Sequence, residues 1–143
     1  GEEELTQKVV PLFAMLQNAT VTQKIRRATV GNSTERLILV RDTNRLVAEA
    51  AAKSPRLTEN EARQISASRV VSEDVLRIIS SNRELVRAYT VKLNLVTNPR
   101  TPFTFVSRML PHLRLNDLKA ISRSKNIPGA VVKAAKQQME RRK

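Results

Sequence analysis

The sequence predicts an all-α chain of about ten short helices. Apolar residues recur at intervals of three and four, as in Leu115, Leu118 and Ile121, which is the period of an amphipathic helix and not the alternation of a strand. Cap-forming residues precede these apolar stretches, and Gly or Pro follows many of them. The 143 residues include three Phe, one Tyr and no Trp, so the core is expected to be aliphatic, and an aromatic-rich β-sandwich or barrel is disfavoured.

Capping signals set the predicted start and end of the helices. Thr58 has Glu61 three residues later, which is the spacing of a capping box. Ser72 precedes two acids that suit the positive end of a helix. The other predicted starts are Thr20, Ser33 and Thr43, and the predicted stops are Gly31, Pro55, Pro99 and Pro128.

The helices that these signals delimit are short and closely connected. They run over residues 5–17, 21–30, 33–41, 44–53, 59–67, 73–81, 83–97, 102–112, 115–124 and 129–142. A chain of this length ordinarily has one core, so residues 2–143 are expected to form a single helical domain. Gly1 resembles a residue left by tag cleavage, and an excised fragment is expected because no initiator Met is present.

No stretch of the sequence has the pattern of a membrane span or an export signal. A transmembrane helix needs about 18 or more consecutive apolar residues, and the chain has no such run. No signal peptide is visible, and a cytoplasmic location is expected.

The chain matches itself in two places. Residues 47–58 align with residues 91–102 at an offset of 44, with Val, Pro and Arg in register. Residues 69–80 align with residues 125–136 at an offset of 56, so the second copy holds an extra segment of one helix. Two matches in the same order predict a duplicated helical unit. The repeat-like units that they delimit are residues 44–81 and 88–136.

The turn Asn-Pro-Arg-Thr-Pro at residues 98–102 resembles the loop of leucine-rich-repeat-variant proteins, in which a short helix follows this turn and packs on a longer one. Residues 91–109, and more weakly residues 47–65, fit that motif. Chain-wide, the pattern of short paired helices is similar to HEAT-like repeats and to uncharacterised bacterial proteins of that build. The resemblance implies an α-solenoid fragment, a curved stack of helices with a non-catalytic binding surface.

Residue types that enzymes depend on are scarce. The chain has no Cys and only three Gly, so thiol catalysis, a Cys-ligated zinc site and a Gly-rich phosphate loop are excluded. His112 is the only histidine and is expected to have a capping or partly buried structural role. The acidic pairs Glu59 with Glu61 and Glu73 with Asp74 fall in predicted first turns, where the helix dipole favours carboxylates. We therefore expect a non-enzyme with no metal site and no cofactor.

The charge is large and unevenly distributed. The sequence has 26 Lys and Arg against 13 Asp and Glu, a formal net charge of +13. Residues 99–143, here called the C-terminal segment, contain eleven basic residues and two acids. A solvated helix face normally mixes both signs, so this imbalance favours an anionic partner.

The candidate binding residues are basic side chains that avoid the apolar stripes of the predicted helices. The main set, here called the basic patch, consists of Arg108, Arg114, Lys119, Arg123, Lys125, Lys133 and Lys136. The secondary set consists of Lys24, Arg27, Arg41, Arg45, Arg83 and Arg87.

Arg41 has two interpretations. Arg41 and Asp42 could pair at a junction where Thr43 and Asn44 end one helix and start the next. Alternatively, Arg41 and Arg45, four residues apart on one face of a continuous helix, would be directed at a phosphate.

The preferred function is a non-catalytic module that binds an anionic macromolecule, foremost the phosphate backbone of a nucleic acid, because such contact needs Lys and Arg but no aromatic platform. The alternative is a protein-interaction scaffold for an acidic partner, which helical repeats commonly provide. A nucleotide ligand and an anionic membrane surface are further alternatives, the latter through the C-terminal helix.

Overall fold

A computed structural model describes residues 11–143, and this part of the chain contains helices and no strand. The all-α prediction is confirmed. The chain divides into two compact units, residues 1–57 and residues 58–143. The boundary falls inside the predicted repeat-like unit 44–81; the single domain over 2–143 and both repeat-like units stay predictions.

The described part of the first unit contains four helical stretches. Residues 11–17 are helical, and the predicted helix 5–17 begins outside the described residues. Three further helices follow: α1 (Val21–Val30), α2 (Ser33–Leu39) and α3 (Arg45–Lys53). Helix α1 packs against both α2 and α3. The core between them is aliphatic and contains fully buried small side chains, including Ala28, Val47 and Ala51.

The second unit contains seven α-helices and one short 3-10 turn. They are α4 (Glu59–Ala67), α5 (Glu73–Ser81), α6 (Arg83–Val86), α7 (Tyr89–Thr97), α8 (Phe103–Met109), the 3-10 turn Leu110–His112, α9 (Leu115–Ser122) and α10 (Gly129–Arg141). Helix α4 packs on α7, and α10 packs on both α8 and α9. Leu76, Ile79, Leu95, Val106 and Leu118 are completely buried, as expected for an aliphatic core.

One predicted helix and two predicted caps are wrong, and the predicted helices 33–41 and 115–124 end two residues earlier, at Leu39 and Ser122. The predicted helix 83–97 is interrupted, because Ala88 has extended backbone (φ −65°, ψ 123°) between α6 and α7. The residues that cap α2 and α3 are Asn32 and Asn44, each one position from the predicted Ser33 and Thr43. In both cases an asparagine side chain accepts a backbone N–H of the first turn. Ser33 lies already inside α2, and Thr43 lies one position before the cap of α3.

The turn after α3 is fixed to the end of α1. Ser54 donates its hydroxyl hydrogen bond to the Thr29 carbonyl at 2.7 Å and accepts the Arg56 backbone N–H at 3.2 Å. The guanidinium of Arg56 donates to the Val30 carbonyl at 2.6 Å. These bonds satisfy carbonyls at the C-terminus of α1, where an α-helix lacks partners of its own.

The turn after α7 repeats this arrangement in the second unit. Asn98 donates from its side-chain nitrogen to the carbonyls of Ser66 at 2.9 Å and Ser68 at 2.8 Å, at the end of α4. Its side-chain oxygen accepts the Arg100 backbone N–H at 3.0 Å, and the Arg100 guanidinium donates to the Val71 carbonyl at 3.4 Å. The sequence match at an offset of 44 therefore corresponds to two turns with the same hydrogen-bonding pattern.

The helix caps recur at a spacing that differs from the spacing of the turns. Thr20 and Thr58 each start a helix with a capping box. Asn44 caps α3, which leads directly into the first turn, whereas Asn82 caps α6, which is followed by α7 before the second turn. Both pairs are separated by 38 positions, whereas the turns are separated by 44. The segment from Asn82 to Asn98 is therefore six residues longer than the segment from Asn44 to Ser54, and it contains the break between α6 and α7. Stacking into a HEAT-like solenoid stays a prediction.

Candidate anion-binding surface

All seven residues of the basic patch are exposed and lie in the second unit. They occupy the last turn of α8, both caps and the body of α9, the loop that follows α9, and the body of α10. In chain order they are Arg108, Arg114, Lys119, Arg123, Lys125, Lys133 and Lys136.

Helix α9 brings two of these cations together. Leu118 and Ile121 are buried and define its inner side. Lys119 lies within α9 and Arg123 is its C-cap residue, and both are exposed. The C-terminal end of the helix therefore presents two exposed cations.

Helix α10 presents a second pair. Its inner side is defined by the buried Val131 and Ala135, and Lys133 and Lys136 are exposed three positions apart. Helix α10 packs directly on α9, and the six-residue connection 123–128 between them carries Lys125. The α9–α10 hairpin thus carries five of the seven patch residues.

The decisive property of the C-terminal segment is the lack of carboxylate partners. Of its eleven basic side chains, only Lys143 lies within 4.0 Å of a carboxylate among the residues that the structure describes, at 3.0 Å from Glu140. Arg100 and Arg142 donate to backbone carbonyls instead. The formal charge of this segment is consequently not neutralised within the described chain.

The segment's other acid, Asp117, is engaged by the chain's only tyrosine. Tyr89 donates its phenolic hydrogen bond to the Asp117 carboxylate and accepts the Arg114 backbone N–H at 2.9 Å. The Arg114 guanidinium stacks over the Tyr89 ring, 4.3 Å from its centroid. Burial and the hydrogen bond to Asp117 raise the pKa of Tyr89 above its usual value. These contacts hold Arg114 at the start of α9.

The secondary residues behave differently. Four of them form ion pairs with carboxylates, and these pairs are Lys24 with Asp42 at 2.9 Å, Arg27 with Glu35 at 3.6 Å, Arg45 with Glu49 at 3.2 Å and Arg87 with Glu84 at 3.5 Å. Arg41 and Arg83 have no carboxylate within 4.0 Å in the described chain. The secondary set is thus largely neutralised by neighbouring acids.

Both interpretations of Arg41 need correction. The helix junction is real, since α2 ends at Leu39 and α3 begins at Arg45, but Asp42 pairs with Lys24 and not with Arg41. Because the chain is not helical between α2 and α3, Arg41 and Arg45 do not share one continuous helix face. For the same kind of reason Arg83 and Arg87 do not lie on one long helix, because α6 ends at Val86.

Sequence reasoning missed a change in helix capping along the chain. Helices α1 to α6 all have an N-cap side chain that accepts a backbone hydrogen bond. The N-cap residues of α7 to α10 make no such bond, and they are Ala88, Pro102, Arg114 and Pro128. The absence of Ser, Thr, Asp and Asn at these positions is the signal that would have revealed it. The N-termini of α8 and α10 lie in the C-terminal segment and have no acid in their first turns, so their positive ends add to its field, whereas α9 has Asp117 in its first turn.

His112 and the acidic pairs, for which no catalytic role is expected, lie in the helices and turns of the second unit. His112 is exposed in the 3-10 turn, so its predicted partial burial is wrong. Glu61 completes the capping box of α4, and Glu59 and Glu73 pair with Arg63 and Arg77 on their own helices. No cluster of three or more potential metal-ligating side chains occurs within residues 11–143. Nor does this range contain a helix with the length and hydropathy required to cross a bilayer.

No family model, curated protein or solved structure matches this chain. Because a fold by itself does not imply a function, function must follow from the chemistry of the surface. Exposed Lys and Arg side chains without carboxylate partners can make charge-assisted hydrogen bonds to phosphate or carboxylate oxygens of another molecule.

Proposed function

We propose that the C-terminal segment binds the phosphate backbone of cytoplasmic nucleic acid without catalysis and without reading its bases. The observation that carries the proposal is that ten of its eleven cationic side chains have no carboxylate partner in the described chain. A charge that is left uncompensated over one segment attracts polyanions and releases their condensed counterions on binding.

The stereochemistry favours a duplex over single strands. Binding of single strands ordinarily uses aromatic faces on which bases stack. The second unit has three aromatic residues: Arg114 covers the face of the Tyr89 ring, Phe105 is half-buried, and Phe103 is exposed. A single exposed ring does not provide a series of stacking faces for successive bases. Phosphate contacts require only cations at helical spacing, such as Lys119 with Arg123 and Lys133 with Lys136.

The salt dependence of binding to a fluorescent DNA duplex tests this proposal. If four to six phosphates are neutralised, a plot of log K against log salt has a slope of about −4 to −5. Replacing Lys119 and Arg123 by Gln is expected to reduce the slope by about 2 in magnitude, and replacing both by Glu is expected to abolish binding while helicity and melting remain unaltered. A flat salt dependence, or unchanged affinity of the Glu variant, contradicts the proposal.

A matched control is available in the first unit. Arg26 and Lys53 are exposed, have no ion-pair partner in the described chain and lie outside the C-terminal segment. Replacing both by Glu changes the net charge by the same amount as replacing Lys119 and Arg123. Equal losses in the two double variants would mean that binding follows net charge alone and not the C-terminal segment.

An acidic protein is the second candidate partner, and one observation favours it. Phe103 and Leu115, in the second unit, are 48 % and 45 % exposed. Exposed large apolar side chains on a unit that also carries exposed cations suit the mixed character of a protein interface. Partners that are retained after nuclease treatment, and lost when Phe103 is replaced by Ser, would support this function over the first.

A further inference from the structure

The first unit contains an apolar groove of about 820 Å³ that the proposed function does not use. It lies between the helical residues 11–17, helix α1, helix α2 and the loop after α2. Its apolar lining includes Phe13, Leu16, Leu37, Ile38 and Leu39. Leu16 and Leu39 are buried beneath it, whereas Phe13 is 47 % exposed at its side.

The volume suits a small molecule. Ligand pockets in proteins measure about 300–1,000 Å³ and combine apolar walls with a few placed polar groups. The groove therefore has the volume and the lining of a small-ligand site.

The polar lining is cationic on balance. Lys24, Asp42 and Arg41 all line the groove. The Asp42 carboxylate is occupied on both oxygens, because one pairs with Lys24 at 2.9 Å and the other accepts the Asn44 backbone N–H at 2.8 Å. Arg41 is exposed and has no carboxylate partner within 4.0 Å in the described chain. Arg41 is thus the group available to an anionic ligand, and the ion pair beside it supplies a fixed polar wall.

We propose that this groove binds a small amphiphile that carries one anionic head group, of the class of a free medium-chain carboxylate. The alkyl chain lies against Leu37, Ile38 and Leu39, and the carboxylate accepts hydrogen bonds from the Arg41 guanidinium. This site is separate from the C-terminal segment and does not depend on the function proposed for it.

Calorimetric titration of the whole chain with decanoate, kept in its monomeric concentration range, tests the proposal. We expect saturable one-to-one binding, with affinity that rises about fourfold for each methylene added from octanoate upward. Decyltrimethylammonium has the same alkyl chain with a cationic head and is expected to bind much more weakly. Absence of saturable binding, or equal affinity for the two head groups, overturns the proposal.

Variants assign the binding to this groove. Replacing Arg41 by Gln is expected to weaken decanoate binding by up to about fivefold, since an exposed ion pair contributes modestly. Replacing Arg26 by Gln, a matched exposed arginine outside the groove, should leave it unchanged. Replacing Leu37 by Trp should block the groove, with helicity checked by circular dichroism; if this variant fails to fold, the Arg41 variant and the head-group comparison still decide.

The basic patch provides the final distinction. The Lys119 and Arg123 to Glu variant is expected to bind decanoate normally even though it no longer binds DNA. Loss of decanoate binding in that variant would assign the carboxylate to the C-terminal segment and overturn the groove proposal.

Discussion

Asn98 is the residue whose removal most directly tests the repeated turn. It is 5 % exposed, and its side chain makes three hydrogen bonds, two donated to the carbonyls of Ser66 and Ser68 and one accepted from the Arg100 backbone N–H. A typical buried hydrogen bond contributes about 0.5–1.5 kcal/mol net. Replacing Asn98 by Ala should therefore lower the free energy of unfolding by about 2–4 kcal/mol.

Two further variants separate hydrogen bonding from loss of volume. Asn98→Asp keeps the size and the acceptor but removes both donated bonds and places a carboxylate against two carbonyls, so it should destabilise at least as much as Asn98→Ala. Ser54→Ala removes two bonds at the equivalent turn in the first unit and should cost about 1–3 kcal/mol. The exposed Asn116, which has no side-chain hydrogen bond in the structure, serves as the control.

Urea unfolding followed by circular dichroism at the helical minimum measures these differences by linear extrapolation. Asn116→Ala should lie within about 0.5 kcal/mol of the parent chain. If Asn98→Ala is equally mild, the turn does not hold the end of α4, and the equivalence of the two turns has no energetic basis.

Three other predictions concern single contacts. The absorbance titration of Tyr89, the only tyrosine in the sequence, should give a pKa above 10 in the folded chain and the usual value in urea. Because the folded pKa is the higher one, the neutral phenol stabilises the folded chain. This stabilisation is complete below about pH 10 and is lost as the pH rises through the folded pKa. An unshifted pKa in the folded chain would contradict both the burial of Tyr89 and its hydrogen bond to Asp117. Lys24→Met leaves the largely buried Asp42 without its cation and should lower the free energy of unfolding in urea by about 1–3 kcal/mol. Arg87 and Glu84 form an exposed pair, so replacing Arg87 should lower it by less than about 1 kcal/mol. Leu118→Ala should cost about 2–5 kcal/mol because Leu118 is fully buried, and a loss below 1 kcal/mol would contradict its place in the core.

Most helix starts could be predicted because capping is local in sequence. The signals at Thr20, Thr58 and Ser72 are read within four residues of the helix they start, and all three are the caps observed. The break at Ala88 has no such signal. It immediately precedes Tyr89, whose hydroxyl bonds to Asp117, 28 positions away, and a contact at that distance is not visible in the local pattern.

For the candidate site, too, the local properties could be predicted from the sequence and the tertiary contacts could not. Exposure of the basic patch follows from helical period, so Lys119, Lys133 and their neighbours could be placed on outer faces from the sequence. Which cations lack a counter-charge is a tertiary property. Lys24 and Asp42 are 18 positions apart, and only the folded chain shows that they neutralise each other while Arg41, adjacent to Asp42, is left available.

The two matching turns have a consequence for how such a chain can grow. Each turn donates hydrogen bonds to carbonyls at the end of a helix in its own unit. A gene segment that encodes one unit would therefore encode both the turn and the helix end to which it bonds. Tandem copying of that segment would extend the protein by a whole module without leaving a junction unanchored. The six additional residues between Asn82 and Asn98 are accommodated where α6 and α7 divide, while the cap at one end and the turn at the other keep their hydrogen bonds.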